Sequence, residues 1–165
     1  MQQLAQLLAP TTPFLNQIMN ALKADQINVA SLELDHICYR VETFTRYEEL
    51  KEALALFGVL LAESQIGGRP IATYKLHEPI RFREREIWCL ELPAPKAKTP
   101  YMEGFEHVEF VINEPFDVFM NAHPQVQFDT KGMHKAVNAD IRVCYPSCCV
   151  KFHHHSLEYV IRYLD

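Results

Sequence analysis

The sequence predicts an α+β fold built from two related halves, and three observations carry that expectation. Short runs of alternating apolar residues read as strands, and stretches of helical apolar spacing interrupt them. The order strand, helix, strands then occurs twice along the chain. At 165 residues the chain fits a single domain, 1–165. Within it we expect an N-terminal helical extension over 1–30, a first module over 32–92 and a second over 105–163.

The extension comes first. Thr12 and Pro13 look like an N-cap and first helical position, and Phe14, Leu15, Ile18, Met19 and Leu22 repeat at helical spacing. This amphipathic helix either covers one face of a sheet or makes a homodimer contact. Residues 34–41 form the first strand, with Ile37, Tyr39 and Val41 on one face and His36, Cys38 and Arg40 on the other. Thr45 and Glu48 suggest a capping box for a helix carrying Tyr47, Leu50, Leu54 and Phe57, with Gly58 as its left-handed C-terminal residue. Strands over 59–66 and 70–77 flank a Gly67-Gly68 hairpin turn, and residues 86–92 close the module. A proline-rich linker covers 93–100. The second module reads as a strand over 105–112, a short helix over 115–120 and strands at 126–128, 139–144, 149–152 and 157–163.

Composition narrows the classes of function. Hydrophobic content of 48% and charged content of 22% suit a globular chain, and a formal net charge of −5 argues against nucleic acid as a partner. Arg81, Arg83 and Arg85 read as a solvated strand face rather than an anion site. No apolar run reaches the roughly eighteen residues of a membrane span, and no export signal opens the chain, so no membrane partner and a cytoplasmic location are expected. The five cysteines are accordingly expected as reduced thiols, with Cys148 and Cys149 pointing to opposite faces of a strand.

Four polar residues share one arithmetic. His36 and His107 lie 71 positions apart, and Glu91 and Glu158 lie 67 apart. Each interrupts a strand that would otherwise be apolar. Each module thus carries a histidine on its opening strand and a glutamate on its closing one, and Asp35-His36-Ile37 is echoed by Glu106-His107-Val108. If the halves pair about a pseudo-twofold axis, all four converge. Two imidazoles and two carboxylates suit a divalent cofactor metal: zinc, manganese, nickel, cobalt or iron. Alternation also puts Glu109 on the face of His107. The competing reading is that all four occupy solvated strand faces.

The segments at 34–41, 89–93, 104–111 and 151–161 resemble the vicinal-oxygen-chelate superfamily, and more closely its YecM-like branch, over about residues 32–163. The resemblance implies paired βαβββ modules forming a U-shaped mixed sheet around a metal, with ligands at His36, Glu91, His107 and Glu158. The superfamily's usual Asp-Pro-x-Gly segment before the last ligand is replaced by Lys151-Phe152-His153-His154-His155. Members of the superfamily include lyases and epimerases with four protein ligands. Others are Fe(II) extradiol dioxygenases, which would match the His36, His107 and Glu158 subset. A carboxylate at Glu91 tilts the reading toward an isomerase, epimerase or lyase moving a proton on a small vicinal-oxygen substrate. Glu158 is the first choice as base and Glu91 the second. His154, sharing strand parity with Glu158, is either a proton shuttle or a surface histidine. A non-catalytic small-molecule-binding or regulatory protein would use the same cavity.

Overall fold

The computed structural model describes residues 3–164. Two helices, α1 (Leu4–Leu7) and α2 (Thr11–Ala24), precede strand β1 (Glu33–Arg40). Helix α3 (Phe44–Leu54) follows, then β2 (Gly58–Ile66), β3 (Arg69–Phe82) and β4 (Arg85–Pro93). The chain resumes with β5 (Gly104–Val111), α4 (Phe116–Asn121), a short 3₁₀ turn at Lys131–His134, β6 (Asp140–Tyr145), β7 (Cys148–His153) and α5 (Leu157–Tyr163).

All seven strands join one mixed sheet in the order β2-β3-β4-β1-β5-β7-β6. Its centre is symmetric in pattern. The opening strands β1 and β5 pair antiparallel, and each is flanked by a parallel neighbour, β4 beside β1 and β7 beside β5. Residues 33–93 therefore run β-α-β-β-β. In the second half the strand expected at 126–128 is reduced to a single bridge, Asp129 to Arg142.

Alternation sorts the two faces. Ile37, Tyr39, Leu90, Leu92, Val108, Phe110, Val150 and Phe152 point into one continuous core. Leu15, Ile18 and Leu22 of α2, Tyr47, Leu50 and Leu54 of α3, and Phe119 of α4 complete it. Burying one such large apolar side chain stabilises by roughly 1.5–3 kcal/mol. The opposite face carries the polar cavity described below.

Several local expectations are corrected. Helix α3 is capped by Thr43, whose side chain accepts from the Arg46 N–H, two residues before the expected Thr45. Helices α2 and α4 begin after Pro10 and Pro115 without side-chain caps, so proline's fixed φ rather than a hydroxyl starts them. Gly58 opens β2 instead of closing α3. Its need for a hydrogen side chain comes from the Lys75 carbonyl, which a Cβ would approach to 2.5 Å. Gly67 and Gly68 do form the hairpin turn, at φ of 60° and 79°. Arg81, Arg83 and Arg85 do not share one strand face: Arg83 lies in the β3–β4 turn, and Arg85 donates to the Leu32 and Val29 carbonyls.

The largest correction is at 157–163, which is helix rather than strand. Ser156 caps it by accepting from the Tyr159 N–H, and Leu157, Val160 and Ile161 fall on one helical face toward the cavity. The closing strand of the second half is β7. Cys144 and Cys149 are also not reduced thiols: they lie directly opposite across the β6–β7 hairpin and form a disulfide. Cys38, Cys89 and Cys148 are free and buried. Among the described residues, no helix is long and apolar enough to cross a membrane.

Candidate metal centre

All seven strands contribute to one cavity of about 400 Å³, with His36, Glu91, His107, Glu109 and Lys151 among its lining. His36 and His107 reach it from the two central strands, where Cys38 of β1 lies opposite His107 of β5. Their rings stand 6.3 Å apart between centroids, inclined at 77°.

Two β-bulges build this arrangement. Leu34 pairs with Phe110 and His36 with Glu109, so β1 holds one extra residue there, Asp35. Cys38 pairs with His107 and Tyr39 with Phe105, so β5 holds one extra residue at Glu106. In a regular strand neighbouring side chains point to opposite faces. The bulges bring each acidic residue round to the histidine that follows it. Asp35 Oδ2 lies 2.7 Å from His36 Nδ1, and Glu106 Oε2 lies 2.9 Å from His107 Nδ1.

With Nδ1 engaged, each ring presents Nε2 to the cavity. Both Nε2 atoms are buried and have no hydrogen-bond partner. A buried polar atom without a partner is costly, and a carboxylate fixing the far nitrogen is the usual support for a metal-binding histidine. Glu91 completes the set: ligand atoms of His36, Glu91 and His107 all lie within 4.8 Å of one another. The residues fit a divalent ion in number, type and orientation. Two further groups, Asp35-His36-His153 and Cys38-Glu106-His107, share members with this one. In both, the acidic residue is already engaged by a histidine Nδ1.

Glu109 sits between the histidines. Its Oε1 is 3.3 Å from His36 Nε2, 3.2 Å from His107 Nε2 and 2.9 Å from Lys151 Nζ. Burial alone would raise its pKa, but the nearby positive charges of Lys151 and His36 hold it well below the usual carboxylate range. Burial would likewise lower His36 and Lys151, yet in both cases the negative charge of Glu109 helps reverse the shift and raise the pKa. Burial would raise Asp35, but hydrogen bonds from His153 and His36 outweigh it and depress the pKa. Glu106 is held at about 2, chiefly by its hydrogen bond to His107 and against its burial.

Of the four residues singled out by spacing, the structure brings His36, Glu91 and His107 together and does not bring Glu158. Glu158 lies in the first turn of α5 and pairs with Lys75 at 2.5 Å and Arg162 at 3.0 Å. Register shows what stands in its place. Cys38, two residues after His36, pairs with Glu91; Glu109, two residues after His107, pairs with Lys151. Lys151 is thus the counterpart of Glu91. His154 is also outside the cavity lining, with Nε2 2.9 Å from the Glu114 carbonyl and its ring against Phe116. Arg40 pairs with Glu106 at 3.5 Å, and Tyr74 is a core residue that donates to the Lys51 carbonyl.

The residues missed by spacing are Asp35, Glu106, Lys151 and His153. His153 is fully buried, with Nδ1 3.0 Å from Asn138 Oδ1 and Nε2 3.4 Å from Asp35 Oδ2. The repeated acid-histidine pair was the available signal for the first two.

The chain belongs to the YecM protein family, whose pattern it matches over residues 3–163. It is 31% identical over 150 residues to Protein YecM of Escherichia coli (strain K12), covering 82% of this chain and 80% of that protein. It is 30% identical over 111 residues to an uncharacterized protein of Haemophilus influenzae, covering 67% of this chain and 58% of the relative. Among solved structures it is similar to Protein EC4020, a structural-genomics target, with a TM-score of 0.81 and 27% identity over 97% of this chain and 92% of the other. Hypothetical protein BH1468 from Bacillus halodurans C-125 shares the fold at a TM-score of 0.51 and 16% identity, over 76% of this chain and 95% of its own.

Proposed function

We propose that the protein binds one divalent metal ion through His36, His107 and Glu91 and acts on a small vicinal-oxygen substrate by metal-assisted proton transfer, as an isomerase, epimerase or lyase of the vicinal-oxygen-chelate kind. The observation that carries this reading is the pair of buried, partnerless Nε2 atoms, each on a ring fixed from behind by its own acidic neighbour. A bound divalent ion would polarise a substrate carbonyl and stabilise the negative charge that forms when the adjacent proton leaves.

The chain's own groups would manage the proton. Glu109 is a buried carboxylate next to both histidines, which places an acceptor within reach of a proton on a substrate held there. Lys151, at 2.9 Å, keeps it charged and can stabilise an oxyanion nearby. Leu157, Val160 and Ile161 of α5 wall the cavity and limit water.

Element analysis of the purified protein tests the metal. One equivalent of a divalent metal per chain is expected, falling below a tenth in the His36→Ala, His107→Ala double variant; equal content in both proteins would refute the reading. Exchange of a substrate α-proton with deuterated solvent, slowed in Glu109→Gln, would support the reaction class. A second reading is favoured by Lys151 standing where a fourth ligand would be. Two histidines and one glutamate are the donor set of Fe(II) oxygenases. Oxygen uptake with catechols, in place of proton exchange, would select it.

A further inference from the structure

The cavity has a second polar pole besides the metal centre, and its charges do not balance. Glu106 faces Arg40, Glu109 faces Lys151 and Asp140 faces Lys135, so these lining carboxylates have basic partners. Arg69 also lines the cavity, yet it makes no ion pair among the described residues. Its Nη1 donates to the Ala94 carbonyl at 2.8 Å and to the Tyr101 hydroxyl at 3.1 Å. These two bonds fix the guanidinium plane. Its Nε is buried and has no partner. Nη2 makes no hydrogen bond among the described residues, so the guanidinium is held in place with Nη2 left to meet a carboxylate oxygen.

Position supplies the rest. Arg69, Ile71 and Thr73 share one face of β3, and Thr73 pairs with Glu91 of the metal centre. Four residues of strand separate Arg69 from Thr73, about 13 Å along the backbone at roughly 3.3 Å per residue, and the arginine side chain can shorten that gap. Between the two poles the lining carries Ile71 and Pro93, with one hydroxyl, Ser64, opposite Ile71 on β2. Lys96, on the exposed segment after β4, adds a second cation to the Arg69 end.

We infer that Arg69 is a specificity-determining residue that binds a distal carboxylate, so that the substrate is a dicarboxylic acid with vicinal oxygens at one end, a short apolar spacer and a second carboxylate at the other. This rests on the proposed metal reading for the first end only. The spacer lies along Ile71 and Pro93 while Nη2 of Arg69 receives the far carboxylate.

The test compares matched acids by isothermal titration, with and without zinc: α-ketoadipate against α-ketocaproate, and α-ketosuberate against α-ketocaprylate. Within each pair the α-keto acid end is the same and only the distal carboxylate differs. In at least one pair the diacid should bind about tenfold tighter or more, the scale of a hydrogen-bonded charge pair. Arg69→Gln should abolish that preference while leaving zinc affinity unchanged, and Arg69→Lys should keep part of it. Equal affinity within both pairs, including no binding of any acid, would overturn the inference, as would an undiminished preference in Arg69→Gln. The comparison on the unaltered protein stands even if a variant fails to fold. Zinc titrated alone reads the metal separately. If zinc does not bind, the metal reading falls, and the diacid preference of the metal-free protein still decides the role of Arg69.

Discussion

At the scale of single residues, a histidine fixed at Nδ1 and left open at Nε2 has lost its freedom to rotate without gaining a second partner. His36 and His107 are both in that condition, and Asp35 and Glu106 put them there. Asp35→Asn and Glu106→Gln should each weaken metal binding by about 10–100-fold with both ligating nitrogens still present, read by competition with a chelator dye. These two acids were only half legible in the sequence. The echo of Asp35-His36 in Glu106-His107 is plain, but strict alternation sends each acid to the face away from its histidine. Only a bulge reverses that, and no residue type announces one here. Glu103 makes a separate prediction. Both its oxygens accept from Arg46, at 2.9 and 3.0 Å, and Tyr39 donates to it at 3.0 Å. The Arg46 hydrogen bonds hold its pKa below the ordinary 4.5. A depressed carboxyl contributes stability above the unfolded-state pKa and loses it as pH falls through the folded-state value. Glu103→Gln should therefore cost roughly 1 kcal/mol at pH 7, and the gap from the unaltered protein should narrow as pH falls below the ordinary carboxyl range in denaturant titrations.

At the scale of elements, α5 decides which residues form the site. Ser156 caps it, the Leu157 N–H donates to Asp35 Oδ2 at 2.8 Å, and its apolar face lines the cavity. Ser156→Ala should destabilise the protein by about 1 kcal/mol and loosen the cavity wall, seen as faster hydrogen exchange in α5. The sequence around it misleads because Tyr159-Val160-Ile161 has strand composition, while the Ser156 cap and the Leu157, Val160, Ile161 spacing say helix. Reading it as strand made Glu158 look like the closing ligand. The true closing strand, β7, was visible at 149–152, but pairing Lys151 with Glu109 needs the register of the sheet, which alternation alone does not provide. Strand β2 has its own constraint. With the Lys75 carbonyl 2.5 Å from where a Cβ would sit, Gly58→Ala must push β3 away. A loss of roughly 1–3 kcal/mol is expected, as a lowered denaturation midpoint.

At the scale of the whole molecule, the centre of the sheet is where the two halves meet, and the candidate metal ligands sit on both sides of that junction. His36 and Glu91 come from the first half and His107 from the second. A ligand shared in this way binds the folded protein and not the separated halves, so it should stabilise the fold as a unit. At a hundred times its dissociation constant, zinc would add about 2.7 kcal/mol, or roughly 5–10 °C in Tm for a chain of this size, reversed by chelation. The repeated strand-helix-strand order and the 71-residue histidine interval made this junction legible. The shrinkage of the second half to a bridge at Asp129 did not show, because 126–128 retains alternating apolar residues. The most direct test of the metal centre is a crystal structure of the zinc-loaded protein with anomalous scattering measured at the zinc edge. One peak is expected about 2.0–2.1 Å from Nε2 of both His36 and His107, and about 2.0–2.2 Å from a Glu91 oxygen. A peak elsewhere, or none in fully loaded crystals, would contradict it.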